Sequence, residues 1–152
     1  MITTGDTAPD FTLPGTDGEV TLAALRPAKV VLFFYPKDDT STCTIEAIDF
    51  TTQAEAFAAA GARVFGLSKD SLKSHVKFAG KHALGVALLS DAGSDTCERY
   101  GVWVEKTMYG KAYRGIERTT LLIDGSGKVA KAWHKVAIDG HVAEVLATVQ
   151  AL

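Results

Sequence analysis

One residue in this chain stands where a side chain can be made nucleophilic. Cys43 follows the apolar run Val30-Val31-Leu32-Phe33-Phe34-Tyr35, which Pro36 stops, and a polar loop, Lys37-Asp38-Asp39-Thr40-Ser41-Thr42. A helical pattern begins near Thr42, so Cys43 falls in a first turn. A first turn offers unpaired backbone N–H groups and the positive end of the helix dipole. Both favour the thiolate, which is the form of cysteine that attacks. The hydroxyls of Thr40, Ser41, Thr42 and Thr44 crowd the same turn. They can cap the helix or hydrogen-bond a polar substrate held against the sulfur. Lys37 adds a positive charge close by in sequence.

The only other thiol is Cys97, inside Ser94-Asp95-Thr96-Cys97-Glu98-Arg99-Tyr100. It has two readings. It is a buried packing cysteine, the commoner state of a lone thiol, or it closes a disulfide with Cys43, which requires Cα atoms within about 7 Å. With two cysteines the chain holds neither a disulfide scaffold nor a four-thiolate zinc site. It also lacks the Cys-x-x-Cys of a dithiol oxidoreductase. His75 and His82 are seven apart, His134 and His141 flank the approach to the last helix, and all four read as surface or packing residues. Gly125-Ser126-Gly127-Lys128 lacks the spacing of a phosphate loop and reads as a hairpin turn. Phe33, Phe34 and Tyr35 have no interleaved basic residues and read as strand core, not as a base-stacking platform.

The elements that must position Cys43 follow from periodicity. Ala8 to Leu13 is extended, Thr16-Asp17-Gly18-Glu19 is a turn, and Val20 to Leu22 a short strand, which together predict an N-terminal β-hairpin. Val30 to Tyr35 has no polar alternation and reads as a strand buried on both faces. A long helix is expected from about Thr42 to Ala60 with Gly61 at its C-terminus. Val64 to Leu67 is a second buried strand, Ser71 to His82 a helix, and Val86 to Leu89 a third strand. Ser94 or Asp95 caps a short helix ending near Gly101. Trp103 to Glu117 reads as a long loop whose Trp103, Met108 and Tyr109 could cover a site or form a dimer contact. Thr119 to Ile123 and Val129 to Trp133 form a hairpin, and His141 to Leu152 is an amphipathic helix. Repeated strand-helix-strand units call for right-handed crossovers. The expectation is one α/β domain over residues 1–152, a central mixed β-sheet flanked by helices. The thioredoxin-like architecture is one member of that class.

Composition bounds the function. Hydrophobic residues make up 47% and charged residues 22%, as in a globular protein. Basic and acidic residues nearly cancel at a net charge of -2, which argues against a nucleic-acid grip or an anionic lipid surface. The start, Met1 to Asp6, has no basic region followed by an apolar run. No apolar stretch approaches bilayer length. A cytoplasmic protein with reduced thiols is the expectation.

The run Tyr35-Pro36-Lys37-Asp38, then Thr40, Cys43-Thr44 and Glu46-Ala47, resembles the active-site segment of the peroxiredoxins, most closely the bacterioferritin-comigratory-protein or peroxiredoxin Q branch. Gly5-Asp6 with Ala8-Pro9-Asp10-Phe11, Ser68-Lys69-Asp70-Ser71 and Leu89-Ser90-Asp91 resemble other family segments. So does Met108-Tyr109-Gly110-Lys111 followed by Gly115 to Thr120, and the likeness spans nearly the whole chain. The resemblance implies a thioredoxin-like fold and a thiol-dependent peroxidase acting on hydrogen peroxide and small organic hydroperoxides. It makes Cys43 the peroxidatic cysteine, oxidised to a sulfenic acid. By the same resemblance Arg118 stabilises the thiolate and orients the peroxide, Thr40 contacts the peroxide, Pro36 shields the sulfur, and Glu46 holds the arginine. No metal, haem, flavin or nicotinamide is implied, because the sulfur carries the electrons.

The chain departs from the family pattern twice. Ser41-Thr42 stand where relatives often carry Pro-Gly. More consequentially, the positions of the usual second cysteine hold Ile48, or fall near Phe78 to Lys81, without a thiol. A one-cysteine cycle is therefore expected, with Cys97 a possible resolving residue. Thioredoxin, glutaredoxin or a low-molecular-weight thiol would be the reductant. Monomer and homodimer both occur among related proteins. The rival reading is a binding or holdase-chaperone module on the same fold, with Cys43 unreactive.

Overall fold

A computed structural model describes residues 1–152. Its frame is a five-stranded sheet of β3 (Lys29–Phe34), β4 (Ala62–Ser68), β5 (Ala87–Ser90), β8 (Thr119–Ile123) and β9 (Val129–Trp133). The strand order is β5-β4-β3-β8-β9. β4 runs parallel to β3 and to β5, while β8 is antiparallel to β3 and β9 to β8. The sheet is thus mixed, and β3 is central because its apolar run can be buried on both faces. Before it, β1 (Thr12–Leu13) and β2 (Val20–Thr21) pair as the N-terminal hairpin, followed by a short 3-10 turn, Leu22–Leu25.

Alternation along β3 divides the core in two. Val31, Phe33 and Tyr35 face a layer built with α1 (Ser41–Thr52), α2 (Ala54–Ala59), α3 (Leu72–His82) and α5 (His141–Ala151), through Phe50, Phe57, Phe78 and Val145. Val30, Leu32 and Phe34 face the other layer, built from the N-terminal segment and the region around α4 (Thr96–Arg99), through Phe11, Tyr100 and Val102. Phe33 stacks on Phe50 with ring centroids 4.5 Å apart, which seats α1 on the strand that delivers its loop. Such a pair adds about 0.5–1.5 kcal/mol beyond its buried area. Gly66 allows this closeness: a Cβ there would lie 2.7 Å from Phe33 Cζ and 2.8 Å from Leu88 Cδ2.

Three sequence expectations are corrected. The long helix is broken at Gln53 into α1 and α2. Thr51 and Thr52 turn their hydroxyls back onto the carbonyls of Ala47 and Ile48, at 2.8 and 3.0 Å. This back-bonding competes with the helical ladder and bends it, while Phe50 and Phe57 stay in one layer, so the apolar spacing reads straight through. The segment from Trp103 is not a loop. It forms the two-stranded ribbon β6 (Trp103–Met108) and β7 (Lys111–Ile116), turning at Tyr109 and Gly110, both with positive φ. The α4 cap comes from neither Ser94 nor the Asp95 side chain. Asp91 accepts from the Thr96 and Cys97 N–H groups at 3.1 and 2.8 Å. No helix is long and apolar enough to cross a membrane.

Candidate active site

Cys43 is the third residue of α1, below the C-terminal end of β3. Thr40 is the N-cap residue, extended at φ -85 and ψ 155, but its side chain does not cap the helix. Its hydroxyl donates to the Lys37 carbonyl at 2.9 Å, which closes the loop on itself. Thr44 bonds back to the Thr40 carbonyl through both its N–H and its hydroxyl. The hydroxyls expected as caps thus stiffen the loop and leave first-turn N–H groups uncapped.

The Cys43 side chain is almost wholly buried, at 1% exposure. Arg118, just ahead of β8, reaches it across the sheet: Nη2 lies 3.2 Å from Sγ. Its Nη1 donates to Glu46 Oε1 at 2.7 Å, one helical turn beyond Cys43. The Arg118 carbonyl accepts from Val136 N–H, which fixes the backbone that aims the guanidinium. Burial alone would lower the Arg118 guanidinium, but Glu46 and the Cys43 sulfur outweigh it and hold it above its ordinary value. Glu46 is fully buried, and its Oε2 has no partner. Burial pushes that carboxyl up to about 7, although the charge and hydrogen bond of Arg118 pull it down. His141, also buried, places Nε2 2.8 Å from the Thr120 hydroxyl, and burial holds its imidazole below the ordinary value.

Lys106 of β6 belongs to this neighbourhood. Burial lowers its ammonium, the Arg118 charge lowers it further, and Glu117 and Cys43 act the other way. It donates to the Ile116 carbonyl at the base of the ribbon. An open groove of about 370 Å³ passes here, lined by Pro36, Lys37, Lys106, Tyr113, Arg114 and Ile116 among others. Pro36 is exposed on its rim. Past the groove the ribbon tip is apolar and open, with Tyr109 95% exposed.

Cys97 lies apart. It is free, fully buried and packed in the layer with Leu32 and Phe34, whereas Cys43 is packed with Phe33 and Tyr35. The two sulfurs are therefore on opposite faces of the sheet. Burial pushes the Cys97 thiol far up, and the Asp91 carboxylate beside it adds to the shift.

Sequence reasoning missed a second polar group. Asp38, Asp70 and His75 bring ligand-type atoms within 4.8 Å of one another. Those atoms already serve one another and neighbouring hydroxyls, so the group is a hydrogen-bonded lock more than a place for an ion. Of the two expectations for His75, surface or packing, the buried one holds, and the ring is hydrogen-bonded at both nitrogens as well as packed. The available signal was its place on one face of α3 with Phe78, together with a Tyr35 hydroxyl that must find a partner once buried.

A profile of the AhpC/TSA family matches residues 4–132. A putative peroxiredoxin bcp of Coxiella burnetii is 51% identical over 146 residues, 95% of this chain and 97% of that protein. Peroxiredoxin Bcp of Bacillus subtilis is 46% identical, over 96% and 94%. Among solved structures, Xanthomonas campestris peroxiredoxin Q superposes with a TM-score of 0.88 at 42% identity, covering 93% of this chain and 90% of its own. A cysteine-to-serine mutant of Xylella fastidiosa PrxQ superposes with a TM-score of 0.93 at 35% identity, over 99% and 97%. The bacterioferritin comigratory protein of X. campestris, studied for alkyl peroxide reduction, matches at 41% identity with a TM-score of 0.88, over 93% and 90%.

Proposed function

This chain belongs to the AhpC/TSA family and is a thiol-dependent peroxidase of the peroxiredoxin type, and from that premise we propose that Cys43 is its peroxidatic residue in a one-cysteine cycle. The observation that carries the reading is the line Glu46–Arg118–Cys43: a buried carboxylate holds a guanidinium whose other arm touches the sulfur. An unreactive holdase module has no need of that arrangement.

In the first step the thiolate attacks the terminal oxygen of a hydroperoxide. The S–O bond forms, the O–O bond breaks, and the leaving oxygen takes a proton to become water or an alcohol. Sulfur is oxidised to the sulfenic acid. Negative charge moves from sulfur to the departing oxygen, and Arg118 supplies fixed donors along that path. A planar guanidinium has enough N–H groups to serve Glu46, the sulfur and the peroxide together. Thr40 offers its hydroxyl oxygen from the loop ahead of the sulfur, and Pro36 limits water at the rim.

The second step needs a thiol from outside. Cys97 packs on the far face of the sheet, and neither position at which the family resemblance would put a resolving cysteine, Ile48 in α1 or Phe78 to Lys81 in α3, holds a thiol. An external thiol attacks the sulfenic sulfur, releases water and forms a mixed disulfide, which a second thiol reduces. The groove of Lys37, Lys106 and Arg114 offers the approach. Thioredoxin, glutaredoxin and low-molecular-weight thiols are the candidates, and the free cysteines suit a cytoplasmic setting.

Rapid mixing of reduced protein with hydrogen peroxide tests the assignment. Wild type consumes about one equivalent in a fast phase, and Cys43→Ser consumes none. A fast phase retained in Cys43→Ser overturns the assignment. Supplying each thiol class in turn then identifies the reductant by sustained turnover.

A further inference from the structure

The loop that leads into α1 is held from beneath by a buried network from four places in the chain. Tyr35 follows β3, Asp38 lies in the loop, Ser68 ends β4 with Asp70 two residues on, and Ser74 and His75 belong to α3. His75 is completely buried. Its Nε2 is 2.9 Å from the carbonyl oxygen of Leu89 in β5. A carbonyl oxygen only accepts, so Nε2 carries a proton. Its Nδ1 is 2.7 Å from Asp38 Oδ2. That carboxylate also accepts the Tyr35 hydroxyl at 2.6 Å and the Ser74 hydroxyl at 2.7 Å. Burial would raise the Asp38 carboxyl, but the hydrogen bonds of His75 and Tyr35 outweigh it and hold it below its ordinary value. The Tyr35 hydroxyl also lies 3.3 Å from Nδ1, so Tyr35, Asp38 and His75 form one closed buried group.

We propose that His75 is a positioning residue for the peroxide reaction: through its two ring nitrogens it fastens Asp38, and with it the loop bearing Thr40 and Cys43, to α3 and β5. This rests on Cys43 as the peroxidatic residue, but its structural half does not. The loop has two further ties. Asp38 N–H donates to Asp70 Oδ2 at 2.9 Å, and the Asp39 carboxylate takes Lys81 and His82 of α3 at 2.7 and 2.9 Å. The Asp39 ties are exposed and worth little, while the Asp70 bond is partly buried. The inner contact between His75 and Asp38 is dry, so removing the imidazole leaves a buried carboxylate oxygen short of one partner. The charged and titratable groups around His75 are Asp38 and Tyr35 in contact, Asp70 behind them, and Asp39, Lys77, Lys81 and His82 outside. β5 contributes only the Leu89 carbonyl to the contact. Of the contacts on the Asp38 carboxylate, that of His75 alone runs on to β5, while Tyr35 and Ser74 hold it from the end of β3 and from α3.

The test separates the two arms of the ring. His75→Gln can keep a donor toward the Leu89 carbonyl but drops the contact with Asp38, whereas His75→Asn can keep a donor near the Nδ1 position. Amide exchange over residues 38–44, corrected for intrinsic rates, should lose protection in His75→Gln, and unchanged protection overturns the proposal, whatever Cys43 does. In stopped-flow assays His75→Gln should react with peroxide roughly ten- to a hundredfold more slowly, the range for a displaced reacting group, and His75→Asn should recover part of that rate. A folded His75→Gln with the wild-type rate, or no recovery in His75→Asn, contradicts the proposal. Should His75→Gln not fold, Asp38→Asn decides: it should lose the same protection over residues 38–44, and wild-type protection there contradicts the proposal. Failure of the peroxidase reading looks different: wild type does not consume peroxide while His75→Gln still loosens the loop.

Discussion

The two cysteines sit on opposite faces of one sheet, and burial does not distinguish them: Cys43 is 1% exposed and Cys97 0%. Charge does. Cys43 has a guanidinium 3.2 Å from its sulfur and stands in the first turn of a twelve-residue helix. Cys97 has the Asp91 carboxylate beside it, in a helix of four residues whose free N–H groups that carboxylate already occupies. The same side chain is prepared as a nucleophile on one face and kept as an inert thiol on the other. A buried cysteine therefore has to be judged by the sign of the charge nearest its sulfur.

The largest expected effect is the contrast between the two thiols. Cys43→Ser should abolish peroxide turnover, while Cys97→Ser should keep the wild-type rate. A steady-state peroxidase assay with added thiol reads both, and a loss in Cys97→Ser would make that thiol part of the cycle. Next is the charge itself. Arg118→Ala removes the donor at the sulfur and should lower the second-order rate by about 10²–10³, the range for losing a fixed transition-state donor. Arg118→Lys should rescue only in part, because an ammonium cannot serve Glu46 and Cys43 in the same planar fork. Equal rates for the three proteins would dissolve the distinction between the two faces.

A smaller effect comes from the cost of holding Arg118. The Glu46 carboxyl stands at about 7 in the folded chain, against an ordinary 4.5. Between those values the folded state keeps a proton that the unfolded chain has released, so stability falls as pH rises through the window. At about 1.36 kcal/mol per unit the loss is at most about 3 kcal/mol. Glu46→Gln stays neutral, so urea unfolding should show wild type losing ground to this variant between about pH 4.5 and 7. Parallel curves would refute the account of Glu46. The smallest effect belongs to the inert thiol. Cys97→Ala removes a packed sulfur and should cost about 1 kcal/mol in unfolding free energy, with no change in rate.

Much of the frame was legible in the sequence because it rests on burial. The Val30–Tyr35 run marks the central strand, and strand-helix alternation marks the crossovers. The β6–β7 ribbon was not legible. It projects from the sheet and buries little beyond Ile116, so no alternating apolar signal forms. Its turn residues, Tyr109-Gly110, were the only local sign. The break at Gln53 was hidden because Phe50 and Phe57 keep a helical spacing while two threonine hydroxyls bend the chain. Cys43 could be picked out by its place at a helix start. Arg118 could not, since 75 residues separate it from the sulfur, and it entered only through resemblance. The pairing of Asp38 with His75 had no sequence signal, because tertiary packing brings that loop onto α3.

The most direct test of the two-face account is the intact mass of the reduced protein after one equivalent of hydrogen peroxide, without added thiol. A gain of about 16 Da on wild type and Cys97→Ser, absent from Cys43→Ser, is the predicted sulfenic acid. A loss of about 2 Da that disappears in Cys97→Ser would mean the two thiols join as a disulfide. That result would contradict their separation by the sheet.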